Sequence, residues 1–507
     1  MFNTAELGLK IPKREFKKRE LTLRRELLEL QQQLRERAES PVLIDFGGVS
    51  GAGKGTSTNM LNKWMDASYI ETFAYDDPSD EELERPTWWR FWRDLPPRGQ
   101  IGIYLSGRYS RPILDFVYGN STREEFNYRL EQVKQFEQAL ADDGAMIQKF
   151  WMHISSAVQK RRLESLQNDP LHNWRMSSQD WTNWEMYDRF IEAAEIAISH
   201  TSTGDAPWEI VEGEDLYYRS LRIGEVLRDS LERHLKKAEI RRKYLEELNE
   251  QIQDPETESA VTPGDSVQPV SILQALDLTK SLDKRGYRRE REELQARLNE
   301  LHEDAVRKNL SFILVFEGPD AAGKSGAIRQ VTEALDARSY KVYPFSAPTD
   351  EENAHHYLWR FWRCIPRRGR MTIFDRSWYG RVLVERIEGF ASDIEWRRAY
   401  AEINQFEEQL VEHGIVLLKF WIHIDEEEQL KRFKAREETP HKRWKLTDED
   451  WRNREKWAEY ERAAHRMIQA TSKRRTPWVL IEGNDKPYAR IRVLTSLCDA
   501  LEQAVAE

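Results

Sequence analysis

This sequence predicts an α/β fold written twice, each copy a parallel sheet flanked by helices on both faces. Three observations predict it. Residue identities recur at one fixed offset along the chain, strand and helix signals alternate within each copy, and a glycine-rich loop stands between a strand and a helix in the second copy.

The repeat is the strongest of the three. Gly53-Lys54 returns as Gly323-Lys324, Arg90-Phe-Trp-Arg93 as Arg360-Phe-Trp-Arg363, and Pro96 with Arg98-Gly99 as Pro366 with Arg368-Gly369. Lys149-Phe-Trp151 and His153 return as Lys419-Phe-Trp421 and His423, and Trp174 and Trp181 as Trp444 and Trp451. Pro207-Trp208 and Glu212-Gly213 return as Pro477-Trp478 and Glu482-Gly483. Every pair is 270 residues apart, so the copies align without net insertion. That period is far too long for a solenoid and makes the copies tandem domains. Between them, residues 251–270 carry three prolines and no apolar periodicity, the composition of a linker. The expected division is therefore 1–250, a linker over 251–270, and 271–507.

Within the second copy, Leu294–Leu301 lies in a charged amphipathic helix and Ser311–Glu317 reads as a buried strand. A helix over Gly323–Ala337, a strand over Tyr340–Phe345, a helix over Glu351–Trp362 and a strand over Met371–Asp375 follow. Then come a helix over Ile394–His413, a strand over Val416–Ile424, helices over Glu426–Arg436 and Asp448–Thr471, a strand over Trp478–Glu482 and a last helix over Tyr488–Val505. This alternation calls for parallel strands joined by crossover helices.

Length and composition agree. A chain of 507 residues exceeds one ordinary core. The longest apolar runs fall far short of the roughly 20 residues of a membrane helix, and the N-terminus lacks the apolar stretch of a secretory signal. Cys364 and Cys498 have no metal or redox spacing, which suits a reduced, cytoplasmic protein. A net charge of −10 argues against general nucleic-acid binding while leaving room for a local basic groove.

The chemistry concentrates in the second copy. Gly318-Pro-Asp-Ala-Ala-Gly323-Lys324-Ser325 fits the Walker A pattern, after a strand and opening a helix. Glycines let backbone N–H groups turn in around a phosphate and the helix N-terminus adds positive potential. Lys324 supplies a point charge and Ser325 a hydroxyl for Mg2+. The pattern in this context predicts a P-loop kinase domain. Asp375, ending an apolar strand some fifty residues on, stands where such enzymes hold metal; its competing role is to cap the helix that follows. Arginines crowd the same region at 360, 363, 367, 368, 370, 376 and 381, with Asp375 the only acid among them. Such one-sided charge predicts an anion-binding groove, since Arg grips phosphate oxygens bidentately. Lys431, Arg432, Lys434 and Arg436, then His441, Lys442, Arg443 and Lys445, read as a helical lid closing over phosphates or as a solvated surface.

Together with Leu358-Trp-Arg-Phe-Trp362, Phe374-Asp-Arg-Ser-Trp-Tyr-Gly380, Lys419-Phe-Trp421 and Arg432-Phe-x-x-Arg436, these residues resemble the polyphosphate kinase 2 family, over both halves of the chain. The two-copy arrangement is similar to its polyphosphate:AMP phosphotransferase subgroup. The resemblance implies a thymidylate-kinase-like fold, Mg2+ or Mn2+, inorganic polyphosphate as donor and AMP or ADP as nucleotide, and an assembly of two or more copies. It implies that Asp320 and Asp375 organise metal and phosphates with Ser325, that Lys324 grips the phosphate, and that Arg376 contacts the accepted phosphates. Arg432 and Arg436 become lid arginines on the polyphosphate chain. Gly318, Ala322, Gly323, Arg381 and Lys419 are assigned to phosphate or polyphosphate, and Arg363, Trp378 and Tyr379 to the nucleotide.

The first copy departs from this pattern. Ser50 stands for Asp320, Gly55 for Ser325, Leu105 for Asp375 and Ser106 for Arg376, while Lys54, Arg90 and Arg93 are kept. A catalytically silent copy, packed as one half of an internal pseudo-dimer, is expected. Phosphoryl transfer from polyphosphate to AMP in the second copy is the leading function. An ATP-dependent nucleoside monophosphate kinase of thymidylate kinase type and a non-catalytic polyphosphate-binding scaffold are the alternatives.

Overall fold

The computed structural model describes residues 1–171, 173, 178–252, 271–440 and 448–506. Trp174, Trp444, the basic run His441–Lys445 and residues 253–270 of the expected linker lie outside the described residues. The chain forms two compact units. One takes Met1–Asp77, Asp94–Ala260 and Ala354–His356; the other takes Pro78–Arg93, Val261–Asn353 and Tyr357–Glu507.

Each unit is built on five parallel strands. In the first these are β1 (Val42–Gly48), β2 (Ile70–Ala74), β3 (Ile101–Leu105), β4 (Met146–His153) and β5 (Trp208–Glu212), ordered β2-β3-β1-β4-β5. In the second they are β6 (Ser311–Glu317), β7 (Tyr340–Pro344), β8 (Met371–Asp375), β9 (Ile415–His423) and β10 (Trp478–Glu482), ordered β7-β8-β6-β9-β10. The sheets are the same sheet drawn twice, as the repeat requires.

The central strand β6 reads Ser-Phe-Ile-Leu-Val-Phe-Glu and is buried along its whole length. It lacks the polar alternation of a half-exposed strand because helices cover both faces. Leu298 of the helix Lys284–Arg307 and Val493, Leu494, Leu497 and Leu501 of the helix Lys486–Ala506 meet Phe312, Leu314 and Phe316 in one core. The first unit repeats this with Leu23 and Leu27 of the helix Lys13–Arg37 and Leu227 and Leu231 of the helix Leu216–Ile252.

The predicted strands match the observed ones to within a residue. Two predicted helices are each two. Glu351–Trp362 divides into Asp350–Asn353 and Trp359–Trp362, and the long helix Asp448–Thr471 breaks into Asp448–Glu455 and Trp457–Thr471. At the second break Lys456 leaves helical geometry while its ammonium reaches Ile387 O and the Glu388 carboxylate, 3.3 and 3.0 Å away.

The order places function at one edge. β6 lies between β8 and β9, and Phe316 pairs with Asp375 of β8 and Phe420 of β9. Strand order reverses at this point, so the carboxyl ends of β6 and β8 open a crevice.

Candidate active site

The loop leaving β6 is set by its glycines. Gly318 has φ of +143°, and a Cβ there would stand 2.2 Å from Ile422 O. Only glycine lets the loop lie flat against β9. Gly323, at φ +115°, turns the chain into the helix Lys324–Thr332, whose first N–H groups have no partner within the helix. Lys324 folds back so that Nζ donates to Gly318 O at 2.6 Å and Pro319 O at 3.2 Å. Burial, with Arg376 nearby, lowers the Lys324 pKa, while Asp320 and Asp375 oppose the shift.

Two carboxylates meet at the mouth of the loop. Ser325 Oγ donates to Asp375 Oδ2 at 3.0 Å, which joins the start of the helix to the end of β8. Arg376 Nη2 donates to Asp320 Oδ1 at 2.7 Å, and Asn453 Nδ2 to Asp320 Oδ2 at 2.9 Å. Burial alone would push the Asp320 carboxyl up, but Arg376 and Lys324 outweigh it and hold the group below its usual range. Arg376 has φ of +65°, unusual for a residue with a Cβ. Ser106 has the same left-handed turn at +52°, so the kink belongs to the fold and the guanidinium to the second copy. The capping role open to Asp375 falls instead to Ser377, whose Oγ accepts from Tyr379 N.

A cleft runs from this mouth between polar and aromatic walls. Glu317, Asp320, Arg376 and Asn453 line it together with Trp421, Trp457 and Tyr460. Glu317 is buried, accepts from Ser377 Oγ at 2.8 Å and has its pKa raised by burial.

Several expected ligands lie elsewhere. Lys419 has no exposed side chain and donates to Tyr379 Oη, Glu407 Oε2 and Thr471 O at 2.9, 2.7 and 2.9 Å. It neutralises a buried carboxylate, so phosphate has no access to it. Trp378 and Tyr379 are core residues whose polar atoms both donate to Glu407 Oε1. They are closed to a nucleotide.

The arginine groove is likewise changed by the fold. Arg360 pairs with Glu352, Arg363 with Glu351, Arg367 with Glu84 and Arg381 with Glu385. The stretch contains one acid, but the fold brings carboxylates to it from elsewhere in the chain. Arg376 is the one arginine of that stretch lining the cleft. Arg432 donates from Nη1 to Ala321 O and Ala322 O and from Nη2 to Gly483 O and Asn484 O, all within 3 Å. Its donors clamp the phosphate loop from behind. Arg436, four residues on, is partly exposed, with its guanidinium 6.0 Å from the Phe433 ring.

The first copy supplies an internal control. Arg162 holds Gly51 O, Gly213 O and Glu214 O as Arg432 holds its carbonyls, and Gln159 donates to Ser50 O as Gln429 does to Asp320 O. Lys149 keeps Tyr109, Glu137 and Thr201 as Lys419 keeps its three partners. These networks survive where both site carboxylates are gone, so they maintain the fold. The first copy also carries Phe2 stacked on His153 at 4.6 Å and against Trp151 at 5.9 Å, the counterparts of His423 and Trp421 in the cleft. Glu317, Ser377, Gln429, Asn453 and Tyr460 escaped the sequence reading. The register held a signal for three of them, since Gly47, Gly107 and Phe190 stand at the positions of Glu317, Ser377 and Tyr460.

A phosphate loop closed by a serine–aspartate contact at the switch point of a parallel sheet defines a P-loop phosphotransferase. Comparison with known proteins narrows this class. The family model described as Polyphosphate kinase 2 (PPK2) matches residues 10–239 and again 281–507. The chain belongs to the polyphosphate kinase 2 family. It is 47% identical over 504 residues to the polyphosphate:AMP phosphotransferase of Pseudomonas aeruginosa, covering 99% of each chain. Its identity to the protein of that name from Acinetobacter johnsonii is 35%, over 92% of this chain and 91% of the relative. A crystal structure from Pseudomonas aeruginosa assigned to polyphosphate kinase 2 superposes with a TM-score of 0.88 at 44% identity, covering 100% of both chains.

Proposed function

We propose that the second copy transfers the terminal phosphoryl group of inorganic polyphosphate to AMP, giving ADP and a chain one unit shorter, and that the first copy is silent. The observation that carries this reading is the meeting of Asp320, Ser325, Asp375 and Arg376 at one phosphate loop, against Ser50, Gly55, Leu105 and Ser106 in the twin. Full-length likeness to relatives named polyphosphate:AMP phosphotransferase supports donor and acceptor.

An oxygen of the AMP phosphate attacks the terminal phosphorus, the P–O bond to the next unit breaks, and that oxygen leaves on the shortened chain. The protein has little covalent work to do; it positions two polyanions and spreads the charge between them. The loop amides and Lys324 hold the phosphoryl group in transit. Arg376, fixed by Asp320, faces the acceptor phosphate. Arg436 meets the polyphosphate chain farther out. The aromatic rings that line the cleft, Trp421, Trp457 and Tyr460, take the place first assigned to Trp378 and Tyr379.

Asp320, Asp375 and Ser325 offer hard oxygen donors in a partly exposed site, and no group of three or more His, Cys, Asp or Glu suited to a metal occurs among the described residues. That set fits Mg2+ or Mn2+, which complete their shells with water and substrate phosphates. When bound, the ion neutralises charge on the phosphates in transit. Among the described residues no helix is long and apolar enough to cross a membrane, and Cys364 and Cys498 are free thiols, in keeping with a reducing cytoplasm.

The decisive assay combines the purified protein with AMP, long-chain polyphosphate and Mg2+, without ATP. ADP forms, and Asp375→Asn lowers its rate about 10³-fold or more, the scale of a lost electrostatic contact in the transition state. Turnover only with ATP as donor would make the protein an ordinary nucleotide kinase. Polyphosphate binding that survives Asp375→Asn, with no ADP from either protein, would make it a scaffold.

A further inference from the structure

The twin copies separate two kinds of buried polar contact. One kind is present in both, as with Lys419 and Lys149 or Arg432 and Arg162. The other kind disappears together with the site carboxylates, and it contains a chain of hydrogen bonds leading to Asp320.

Tyr460 Oη donates to Asn453 Oδ1 at 3.0 Å, and Asn453 Nδ2 donates to Asp320 Oδ2 at 2.9 Å. The other carboxylate oxygen, Oδ1, takes Arg376 at 2.7 Å. The amide can be oriented only one way, because Tyr460 must donate to its oxygen if its nitrogen is to donate to Asp320. Asp320 is thus gripped on both oxygens, from the residue that follows β8 on one side and from the helix Asp448–Glu455 on the other. All four residues line the cleft.

In the first copy Ser50 replaces Asp320, Ser106 replaces Arg376 and Phe190 replaces Tyr460. Asn183 holds the place of Asn453, but its Oδ1 accepts from Tyr118 Oη and from Gln179, while Ser50 Oγ turns to Asp180. The fold therefore tolerates Phe at the tyrosine position. In the twin a tyrosine from another position, Tyr118, turns the asparagine away from the loop; a hydroxyl at the Tyr460 position occurs in the copy that keeps Asp320.

We propose that Asn453, held by Tyr460, is a positioning residue for Asp320 in phosphoryl transfer. This rests on the polyphosphate-to-AMP reading of the same site. Neither residue touches the reacting atoms in this role. Asn453 fixes the plane of the Asp320 carboxylate so that Arg376 is presented to the acceptor phosphate, and Tyr460 fixes Asn453.

The test is a double-mutant cycle on the full chain, assayed for ADP formation and by thermal unfolding. Each hydrogen bond to a charged or charge-coupled group is worth about a tenfold effect. Asn453→Ala is expected to lower kcat about tenfold or more, and Tyr460→Phe about threefold to tenfold, with KM for AMP and polyphosphate changed by less than about threefold. In the Asn453→Ala background, Tyr460→Phe costs less than about twofold, because its partner has gone. Tyr460→Phe keeps the wild-type unfolding midpoint, since it installs the residue the twin carries. Losses that multiply would overturn the relay, as would a fall in midpoint without a fall in kcat, or a change confined to KM. A wild-type enzyme that makes no ADP from AMP and polyphosphate would instead overturn the functional reading, which separates the two failures.

Discussion

At the scale of single residues, burial decides more than charge does. Lys419 and Lys324 are both buried lysines, yet one reaches a glutamate in the core and the other the carbonyls of a phosphate loop. Lys419→Met leaves Glu407 uncompensated and is expected to cost about 3–5 kcal/mol of stability, read as a fall in the urea or thermal midpoint. Lys149→Met should cost a similar amount, because Glu137 is paired in the same way. A phosphate-binding role would instead raise the KM for polyphosphate in Lys419→Met alone and leave the midpoint in place. His423 supplies a pH prediction. Burial lowers its pKa to about 4, against about 6.5 when unfolded. The unfolded chain therefore binds the proton first as pH falls, and stability is lost from about pH 6.5 down to about pH 4. In His423→Gln, unfolding measured across that window should show a dependence on pH smaller by about one proton.

At the scale of elements, the phosphate loop is held from outside itself. Arg432, on the helix Glu426–Glu438, closes four hydrogen bonds onto loop carbonyls and onto Gly483 and Asn484 after β10. Gln429 on the same helix adds a bond to Asp320 O. The helix therefore fixes the phosphate loop. Arg432→Ala is expected to speed hydrogen exchange at the amides of Gly318–Gly323 by about tenfold or more, the loss of at least one such bond, and to lower kcat with it. Arg436→Ala should leave that exchange unchanged and weaken polyphosphate binding, with a smaller dependence on salt. Element boundaries were legible in the sequence where an apolar run was continuous, as in β6 and β9. The break at Lys456 was not, because Asp448–Thr471 keeps its helical period through the residue whose side chain is drawn aside to Glu388.

At the scale of the whole molecule, one sequence pattern has been used for two purposes. The sheets, the arginine clamp and the buried lysine network are common to both copies. The differences that bear on chemistry lie at the mouth of the loop and in the cleft beside it. The first copy has lost more than two carboxylates. It has Gly47 for Glu317, Gly107 for Ser377 and Phe190 for Tyr460, and Phe2 packs on the residues that would wall a cleft. Restoring acids with Ser50→Asp and Leu105→Asp in an Asp375→Asn background should therefore yield no ADP above that background. Recovery of even one hundredth of the wild-type rate would mean that the two carboxylates are sufficient and the rest of the cleft dispensable.

The sequence by itself determined the duplication, the alternation of strands and helices, the phosphate loop and the candidates Asp320, Lys324, Asp375 and Arg376 that the fold brings to it. These are local or periodic properties: glycine spacing, alternation of apolar runs, and a register fixed by covalent distance along the chain. Only the tertiary structure decided which basic residues face the site. Arg360, Arg363 and Arg367 look free in a stretch with one acid, and Lys419 looks like part of a motif, until folding brings Glu352, Glu351, Glu84 and Glu407 to them. An ion pair depends on distance through space, which the local count of charges does not contain. The same holds for Asn453 and Tyr460, 133 residues or more from the carboxylate they serve and within hydrogen-bonding reach of it, or of each other, only after the chain has folded.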